Sequence, residues 1–119
     1  MSDAVTIYHN PRCSKSRETL NLLKEKGVEP QVVLYLENPP DAATLRNLVK
    51  MLGMRSAREL LRQKEDLYTS LALMDPALPE EALILAMVEH PKLIERPIVV
   101  HNGKARIGRP PEQVLEILD

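Results

Sequence analysis

The pattern that most restricts the fold is a strand, a helix and a second strand within the first three dozen residues. Residues 5–8 (VTIY) are rich in β-branched side chains and end at a proline-containing turn, which is typical of a strand. Leucines at helical spacing follow, up to Gly27 as the stop signal. Residues 32–36 (VVLYL) form a nearly continuous apolar run, typical of a strand buried on both faces of a parallel sheet. This order predicts a βαβ unit with a right-handed crossover.

The middle of the chain predicts helices. Asp41 is the predicted N-cap of a helix that continues to Gly53. Residues 56–59 (SARE) have the spacing of a capping box and open a short helix. A further helix is predicted over residues 80–90 after a loop at residues 75–79.

The last part of the chain predicts a hairpin and a final helix. Asn102-Gly103 lies between the strand-like runs at residues 98–100 and 105–107, which predicts a type I′ turn. Pro110-Pro111 starts a helix that buries the aliphatic residues between 114 and 118. The order is βαβ, then helices, then ββα. It predicts an α/β, thioredoxin-like fold: a mixed four-stranded sheet with a helical insertion between the two parts.

Composition excludes several classes of function. The 119 residues suit one domain, and a net charge of −1 with 3% aromatic residues favours neither nucleic-acid nor membrane-surface binding. The N-terminus lacks the pattern of a secretory signal, and no apolar run reaches the ~20 residues of a membrane span. A single free cysteine suits a reducing compartment, so we expect a cytoplasmic protein.

The single cysteine, Cys13, lies between the first predicted strand and the first predicted helix. Helix N-terminal N–H groups favour a thiolate and should lower the pKa of the thiol. Arg12, Lys15, Arg17 and His9 would add positive charge nearby. A lone cysteine is often just a small buried hydrophobic residue. The polar and cationic surroundings favour a nucleophile instead.

Related cysteine motifs do not match. Ser16 stands where a Cys-x-x-Cys pair would have its second cysteine, so self-resolution by a protein disulfide is not available. Three residues separate Cys13 from Arg17, whereas a tyrosine-phosphatase loop needs five. The histidines are scattered and give no zinc-ligand spacing, so we expect no metal site.

Two arginines, Arg96 and Arg109, each come directly before a proline next to the predicted hairpin. In the predicted fold both loops approach Cys13, where two guanidinium groups could hold a tetrahedral oxyanion. Arg62, in the helical insertion, is a third candidate that could close over the anion. Arg46 and Arg58 are predicted to face solvent on helix surfaces.

Three segments together closely resemble the ArsC family. They are residues 6–13 (TIYHNPRC), residues 35–40 (YLENPP), and the stretch from His90-Pro91 to residues 96–100 (RPIVV). The family contains the glutaredoxin-coupled arsenate reductases of the thioredoxin superfamily, and its YfgD-like branch is the nearer match. The resemblance covers nearly the whole chain and implies one ArsC/thioredoxin-like domain over residues 1–119.

The resemblance also implies roles for matching residues. Cys13 corresponds to the nucleophile, and His9 to a histidine that helps to hold it as a thiolate. Pro97 matches the cis-proline position of the thioredoxin fold. The family's oxyanion-binding arginines fall on three positions, Arg62, Arg96 and Arg109. Ser16 matches a loop serine near the sulfur in the family. From their positions around Cys13, we expect four residues to form the supporting active-site loop: Asn10, Arg12, Ser16 and Arg17.

By resemblance, the activity is reduction of arsenate to arsenite through a covalent bond between the cysteine and arsenate. Glutathione would be the external thiol and glutaredoxin the partner that regenerates the cysteine, with no bound cofactor and a monomeric chain. One alternative is a glutathione-dependent thiol oxidoreductase acting on another oxyanion or on a mixed disulfide. Another is a Spx-like regulator that binds RNA polymerase, although such proteins carry the second cysteine that Ser16 replaces.

Overall fold

The structure is a computed structural model that describes residues 4–118, and contacts divide the chain into two compact units. The sheet unit comprises the residues up to Asn38 and those from Arg96 onward, and the helical unit is Pro39–Glu95. The described part of the sheet unit contains β1 (Val5–His9), α1 (Ser14–Glu25), β2 (Gln31–Leu34), β3 (Ile98–His101), β4 (Lys104–Ile107) and a 3₁₀ helix (Pro111–Ile117). The helical unit contains α2 (Ala42–Met51), a 3₁₀ helix (Ala57–Leu60), α3 (Asp66–Ser70), α4 (Glu80–Glu89) and a 3₁₀ turn (Pro91–Leu93).

The four strands form one mixed sheet in the order β2-β1-β3-β4. β1 and β2 are parallel, with Tyr8 opposite Val33, as a βαβ unit requires. β3 is antiparallel to β1, with Ile7 opposite Val99, and β4 is antiparallel to β3. The predicted fold class, an α/β fold with a mixed four-stranded sheet, is confirmed.

One apolar cluster joins the sheet to α1 and to the last helix. Its buried members are Val5, Ile7, Leu23, Val99, Val114 and Ile117. Burial alternates along β1, so that Val5, Ile7 and His9 are buried while the residues between them are half-buried. His9 is therefore at the end of a strand whose buried residues build the core, directly before the turn that contains Cys13.

The second strand differs from its prediction in length and in burial. It spans Gln31–Leu34 and forms the edge of the sheet, with β1 as its neighbour. Val32 is 43% exposed, so the expectation of a strand buried on both faces is wrong. An apolar run does not indicate whether a strand is central or at an edge. Here the deepest burial falls on Tyr35, which follows the strand.

The β3–β4 hairpin has the predicted two-residue turn. His101 pairs with Lys104, and the two residues between them, Asn102 and Gly103, have φ values of 56° and 77°. Positive φ at both central positions defines the type I′ turn, and Asn and Gly adopt it at low cost. The prediction is confirmed.

The last helix begins where predicted but is a 3₁₀ helix over Pro111–Ile117. Its buried residues, Pro111, Val114 and Ile117, repeat every third position. A 3₁₀ helix has three residues per turn, so this spacing places all three side chains on one face against the sheet. Leu115 and Leu118, also expected on the buried side, are only half-buried.

In the helical unit, α2 and α4 follow their predictions closely. The Asp41 side chain accepts the N–H of Thr44 at 2.8 Å, which confirms the predicted N-cap of α2. α4 spans Glu80–Glu89, within one residue of the predicted helix. The short helix α3 and the 3₁₀ turn Pro91–Leu93 have too few residues for their periodicity to stand out in the sequence.

The predicted capping box forms in an altered way and opens a 3₁₀ helix, Ala57–Leu60. The Ser56 hydroxyl accepts the N–H of Arg58 at 3.1 Å, and the Glu59 carboxylate accepts the N–H of Arg55 at 2.8 Å. Glu80 then accepts the Ser56 hydroxyl at 2.6 Å. The start of this helix therefore depends on a carboxylate from α4 as well as on its own residues.

Arg58 corrects one of the sequence predictions. It is half-buried, and its guanidinium donates to the Tyr68 hydroxyl at 3.0 Å and to the carbonyls of Leu73 and Asp75. The expectation that it faces solvent is wrong, because it supplies donors to carbonyls in the loop after α3. Arg46 is exposed as predicted, with Glu81 at 2.8 Å.

None of the described helices could cross a membrane. The longest of them, α1, has 12 residues, whereas a spanning helix needs about 20 apolar residues. A search of residues 4–118 finds no candidate span.

Candidate active site

Cys13 lies in the turn between β1 and α1 and is the N-cap residue of α1. Its N–H donates to the carbonyl of Asn10 at 3.0 Å, and its own carbonyl accepts the N–H of Arg17 at 3.0 Å. The first bond closes the turn and the second starts the helix. The residue is half-buried, so its sulfur lies at the N-terminal end of α1, within reach of solvent.

Opposing effects determine the pKa of the Cys13 thiol. Burial raises it, because a thiolate loses hydration. The N–H of Ser16, the charge of Arg96, the N–H of Lys15 and the charge of Arg109 oppose burial and hold the pKa below its ordinary value. The sulfur forms no formal capping hydrogen bond with the helix, so these N–H groups act as dipoles directed at it. The direction agrees with the sequence prediction.

One of the three candidate arginines, Arg109, contacts the sulfur, and the charge of a second, Arg96, acts on it. Arg109 directs Nη2 at Cys13 Sγ over 3.6 Å and donates from Nε to the carbonyl of Arg96 at 2.9 Å. The Arg96–Pro97 peptide bond, which the resemblance places at the cis-proline position, is cis, as is Arg109–Pro110. The sheet unit thus places the Arg109 guanidinium at the Cys13 sulfur and the backbone of Arg96 beside Arg109, while the predicted pair of oxyanion-binding guanidinium groups stays a prediction.

Arg62 lies in the helical unit. Its Nη1 is 3.3 Å from a Glu65 carboxylate oxygen and donates to the carbonyl of Lys92 at 3.2 Å. The Lys92 ammonium contacts the other Glu65 oxygen at 3.6 Å. The Arg62 charge is therefore partly offset by a carboxylate, and its assigned role in oxyanion binding stays a prediction.

His9 is buried, with Nδ1 2.6 Å from the Ser16 hydroxyl. Burial lowers the pKa of His9, and the nearby charges of Lys24 and Arg17 lower it further. The imidazole is consequently neutral near pH 7. The expectation that His9 adds positive charge beside Cys13 is wrong, because its side chain lies on the core face of β1.

The Ser16 hydroxyl links β1 to the first turn of α1. Its oxygen accepts the N–H of Asn10 at 3.0 Å, so its proton is best satisfied by donating to Nδ1 of His9. This arrangement places the imidazole proton on Nε2. Ser16 is fully buried, and its own N–H acts on Cys13. These bonds tie His9 to the turn that contains Cys13, and the role of His9 in holding the thiolate stays a prediction.

The remaining loop residues hold the turn or stay exposed. Asn10 Oδ1 accepts the N–H of Arg12 at 3.0 Å, which complements the bond from Cys13 to its carbonyl. The Arg17 guanidinium donates to the carbonyl of Pro11 at 2.9 Å. Asn10 and Arg17 thus stabilise the loop, whereas Arg12 itself is exposed to solvent.

Sequence reasoning missed two residues beside this loop. A Cβ atom on Gly108 would lie 2.3 Å from Thr19 Oγ1 and 2.9 Å from Pro97 Cγ. Thr19 is fully buried, and its hydroxyl donates to the carbonyl of Lys15 at 2.8 Å. The signal in the sequence was a glycine outside the predicted hairpin turn, directly before a candidate arginine.

The arrangement suits attack on an anion. A thiolate is the nucleophilic form of cysteine, and guanidinium groups attract and orient a tetrahedral oxyanion. Among residues 4–118, His, Cys, Asp and Glu side chains form no group of three or more that could hold a metal ion. The donors that surround the sulfur are cations and backbone N–H groups.

Comparison with known proteins identifies one family. The ArsC family matches residues 8–117. The chain is 78% identical over 118 residues to the protein named Uncharacterized protein YfgD of Escherichia coli (strain K12), covering 99% of both. It is 50% identical over 114 residues to a protein of Neisseria meningitidis named arsenate reductase, covering 96% of this chain and 97% of that protein.

A solved structure agrees with these relatives. The structure named arsenate reductase from Vibrio cholerae superposes with a TM-score of 0.96 at 58% sequence identity, covering 98% of this chain and 99% of that one. The thioredoxin-like fold predicted from the order of strands and helices is thereby confirmed. By the family match and the identity of its relatives over nearly their full length, the chain belongs to the ArsC family.

Proposed function

We propose that this protein is an arsenate reductase that converts arsenate to arsenite through a covalent bond between Cys13 and arsenic. The observation that supports this most directly is the Arg109 guanidinium 3.6 Å from the Cys13 sulfur. Arg109 also donates to the Arg96 carbonyl, and the charge of Arg96 helps to lower the pKa of Cys13. A nucleophile and a guanidinium group are adjacent, as an attack on an oxyanion requires. The names of the Neisseria and Vibrio relatives support arsenate as the oxyanion.

In the first step, arsenate binds to Arg96 and Arg109, whose planar guanidinium groups match two oxygens of a tetrahedral anion. Their charges reduce the repulsion between the anion and the thiolate. The Cys13 thiolate then attacks arsenic, an S–As bond forms, and one oxygen leaves as hydroxide or water. No electrons are transferred in this step, so arsenic remains As(V).

Reduction needs a second thiol, and Cys13 is the only cysteine in the chain. We assign this role to glutathione. Its thiolate attacks the Cys13 sulfur, an S–S bond forms and the S–As bond breaks. The electron pair of the broken bond stays on arsenic, which leaves as arsenite, As(III), while Cys13 is left as a mixed disulfide with glutathione.

The last step regenerates the enzyme by thiol–disulfide exchange. A thiolate of glutaredoxin attacks the glutathione sulfur of the mixed disulfide and releases Cys13, whose lowered pKa makes it a good leaving group. Two thiols are oxidised to one disulfide, which balances the two electrons taken up by arsenic. We place the protein in the cytoplasm, where thiols stay reduced.

The experiment mixes purified protein with arsenate, glutathione and glutaredoxin and quantifies arsenite. We expect turnover with the natural chain and a loss of at least about 1,000-fold with Cys13→Ser, because a serine hydroxyl is a poor nucleophile. If glutaredoxin is omitted, intact-mass spectrometry should show glutathione or arsenate attached to Cys13.

Two results would refute the proposal. Arsenite formation without any external thiol would rule out the scheme, because the chain has no second cysteine. The absence of arsenite with all components present, while Cys13 still exchanges with glutathione disulfide, would leave the thiol chemistry and exclude arsenate. The protein would then be a glutathione-dependent oxidoreductase that acts on another substrate.

A further inference from the structure

Gly108 lies between the end of β4 and Arg109, at the centre of a three-residue turn closed by the bond from the Arg109 N–H to the Ile107 carbonyl. The other three glycines all have positive φ, where a side chain would be strained, but Gly108 does not. An alanine could therefore adopt the backbone conformation of Gly108. The position needs glycine for another reason.

The reason is space. A Cβ atom at Gly108 would lie 2.3 Å from Thr19 Oγ1, 3.1 Å from Thr19 Cγ2 and 2.9 Å from Pro97 Cγ. Thr19 is fully buried on α1 and its hydroxyl bonds to the carbonyl of Lys15 at 2.8 Å, while the Pro97 ring is rigid. Since neither neighbour can move away cheaply, a methyl group at Gly108 would push its own loop away from α1.

A shift of that loop would move Arg109. The N–H of Arg109 donates to the carbonyl of Ile107 at 2.9 Å, so the residues on both sides of Gly108 are tied together. Gly108 also donates its N–H to the carbonyl of Pro97 at 3.0 Å. The distance from Arg109 Nη2 to Cys13 Sγ is already 3.6 Å, so a small outward movement would remove this contact first.

We propose that Gly108 is a positioning residue: by packing against Thr19 without a side chain, it sets the distance between the Arg109 guanidinium and the Cys13 sulfur. Thr19 is the other half of this contact. The inference deepens the proposed function and rests on it only where arsenate is concerned. It extends the active site to a position that touches neither the sulfur nor the anion.

The test compares Gly108→Ala with Gly103→Ala. Thiolate absorbance titration of the free enzyme should show a higher Cys13 pKa in Gly108→Ala, because the Arg109 charge has moved away. Protection of Cys13 from alkylation should need roughly 10-fold more arsenate, the lower end of the cost of a lost charge-assisted hydrogen bond. Gly103 has φ 77° and no atom within 4 Å of its Cβ position. Its alanine variant should lower stability by strain and leave the Cys13 pKa unchanged.

The variant Gly108→Ala/Thr19→Ala makes room for the new methyl group and should return the Cys13 pKa to that of Thr19→Ala alone. The proposal is overturned if Gly108→Ala leaves the Cys13 pKa unchanged, or if the double variant does not restore it. If Gly108→Ala does not fold, the double variant decides. It should fold and show the Cys13 pKa of Thr19→Ala, and the proposal is overturned if it does not fold or shows a different Cys13 pKa. These titrations contain no arsenate. Absence of arsenite formation would therefore refute the proposed function without affecting this inference.

Discussion

Arg109 in the sheet unit and Arg62 in the helical unit have different partners. In the sheet unit, Arg109 directs its donors at a backbone carbonyl and at the Cys13 sulfur. In the helical unit, Arg62 and Arg46 contact the carboxylates of Glu65 and Glu81. The carbonyl partner of Arg109 is neutral and leaves its charge to the Cys13 sulfur and an incoming anion, whereas the carboxylate partner of Arg62 offsets that charge.

The difference shows that a site arginine is distinguished by its partners rather than by its position in the sequence. The family resemblance assigns all three arginines to oxyanion binding, and the position before a proline in a loop adds a second argument for Arg96 and Arg109 only. The contacts separate Arg109, which acts on the reactive sulfur, from Arg62, which is held by Glu65 and the carbonyl of Lys92. Replacement of individual side chains can test this distinction.

The largest effect is expected from Arg109→Lys and Arg96→Lys. Lysine keeps the charge but lacks the planar pair of donors, so each change should remove a charge-assisted hydrogen bond to arsenate. A loss of about 1.5–3 kcal/mol corresponds to a fall of roughly 10- to 150-fold in kcat/KM. Steady-state kinetics with arsenate, glutathione and glutaredoxin would measure it.

Arg46→Lys is the matched control for these variants, because Arg46 is exposed and a lysine can keep its ion pair with Glu81. Its kinetics should be those of the natural chain. If Arg96→Lys and Arg109→Lys behaved like this control, in kinetics and in the protection of Cys13 from alkylation by arsenate, the two guanidinium groups would not bind the anion.

The second prediction concerns stability in the helical unit. Arg58→Ala removes donors from the Tyr68 hydroxyl and from two backbone carbonyls, so the free energy of unfolding should fall by about 2 kcal/mol. Arg46→Ala removes only an exposed ion pair and should change it by less than about 1 kcal/mol. Urea unfolding measures both values, and equal losses would show that the Arg58 contacts contribute no more than a surface pair.

More features of the sheet unit than of the helical unit could be predicted, because the sequence signals of the sheet unit come from neighbouring residues. Two adjacent residues specify the Asn102-Gly103 turn. The strand before Cys13 and the helix after it specify the position of Cys13 in the fold. The edge position of β2 was missed, since strand order depends on contacts between residues far apart in the chain.

In the helical unit, side chains distant in sequence decide the structure. Glu80 caps the helix that Ser56 begins, and Arg58 bonds to carbonyls after α3. The spacing of hydrophobic residues in the sequence does not indicate such contacts. In the site itself, the neutral state of His9 and the tight approach of Gly108 to Thr19 also depend on packing, which the sequence alone does not reveal.

The third prediction contrasts the arginines of the two units directly. Arg62→Lys should reduce kcat/KM for arsenate by less than about 10-fold, below the loss expected for Arg109→Lys, because a lysine can still pair with Glu65. The same kinetic assay measures both variants side by side. A loss as large as that of Arg109→Lys would show that Arg62 binds the anion equally well. The contacts would then not distinguish Arg109 from Arg62.

The smallest effect, and the last prediction, concerns the pH dependence of stability through His9. Burial lowers the pKa of His9 in the folded chain, so between its unfolded value of about 6.5 and the lowered value, the unfolded chain binds a proton that the folded chain does not. Stability should therefore fall as the pH decreases through this window and be unaffected by His9 above it. His9→Asn keeps a polar atom near the Nδ1 position for Ser16 but cannot titrate, so its unfolding free energy should change less between pH ~7.5 and ~5.5. Urea unfolding of both chains at both pH values measures the difference. Equal slopes in His9→Asn and the natural chain would mean that His9 takes up its proton in the folded state, and that the imidazole can be charged beside the cysteine loop after all.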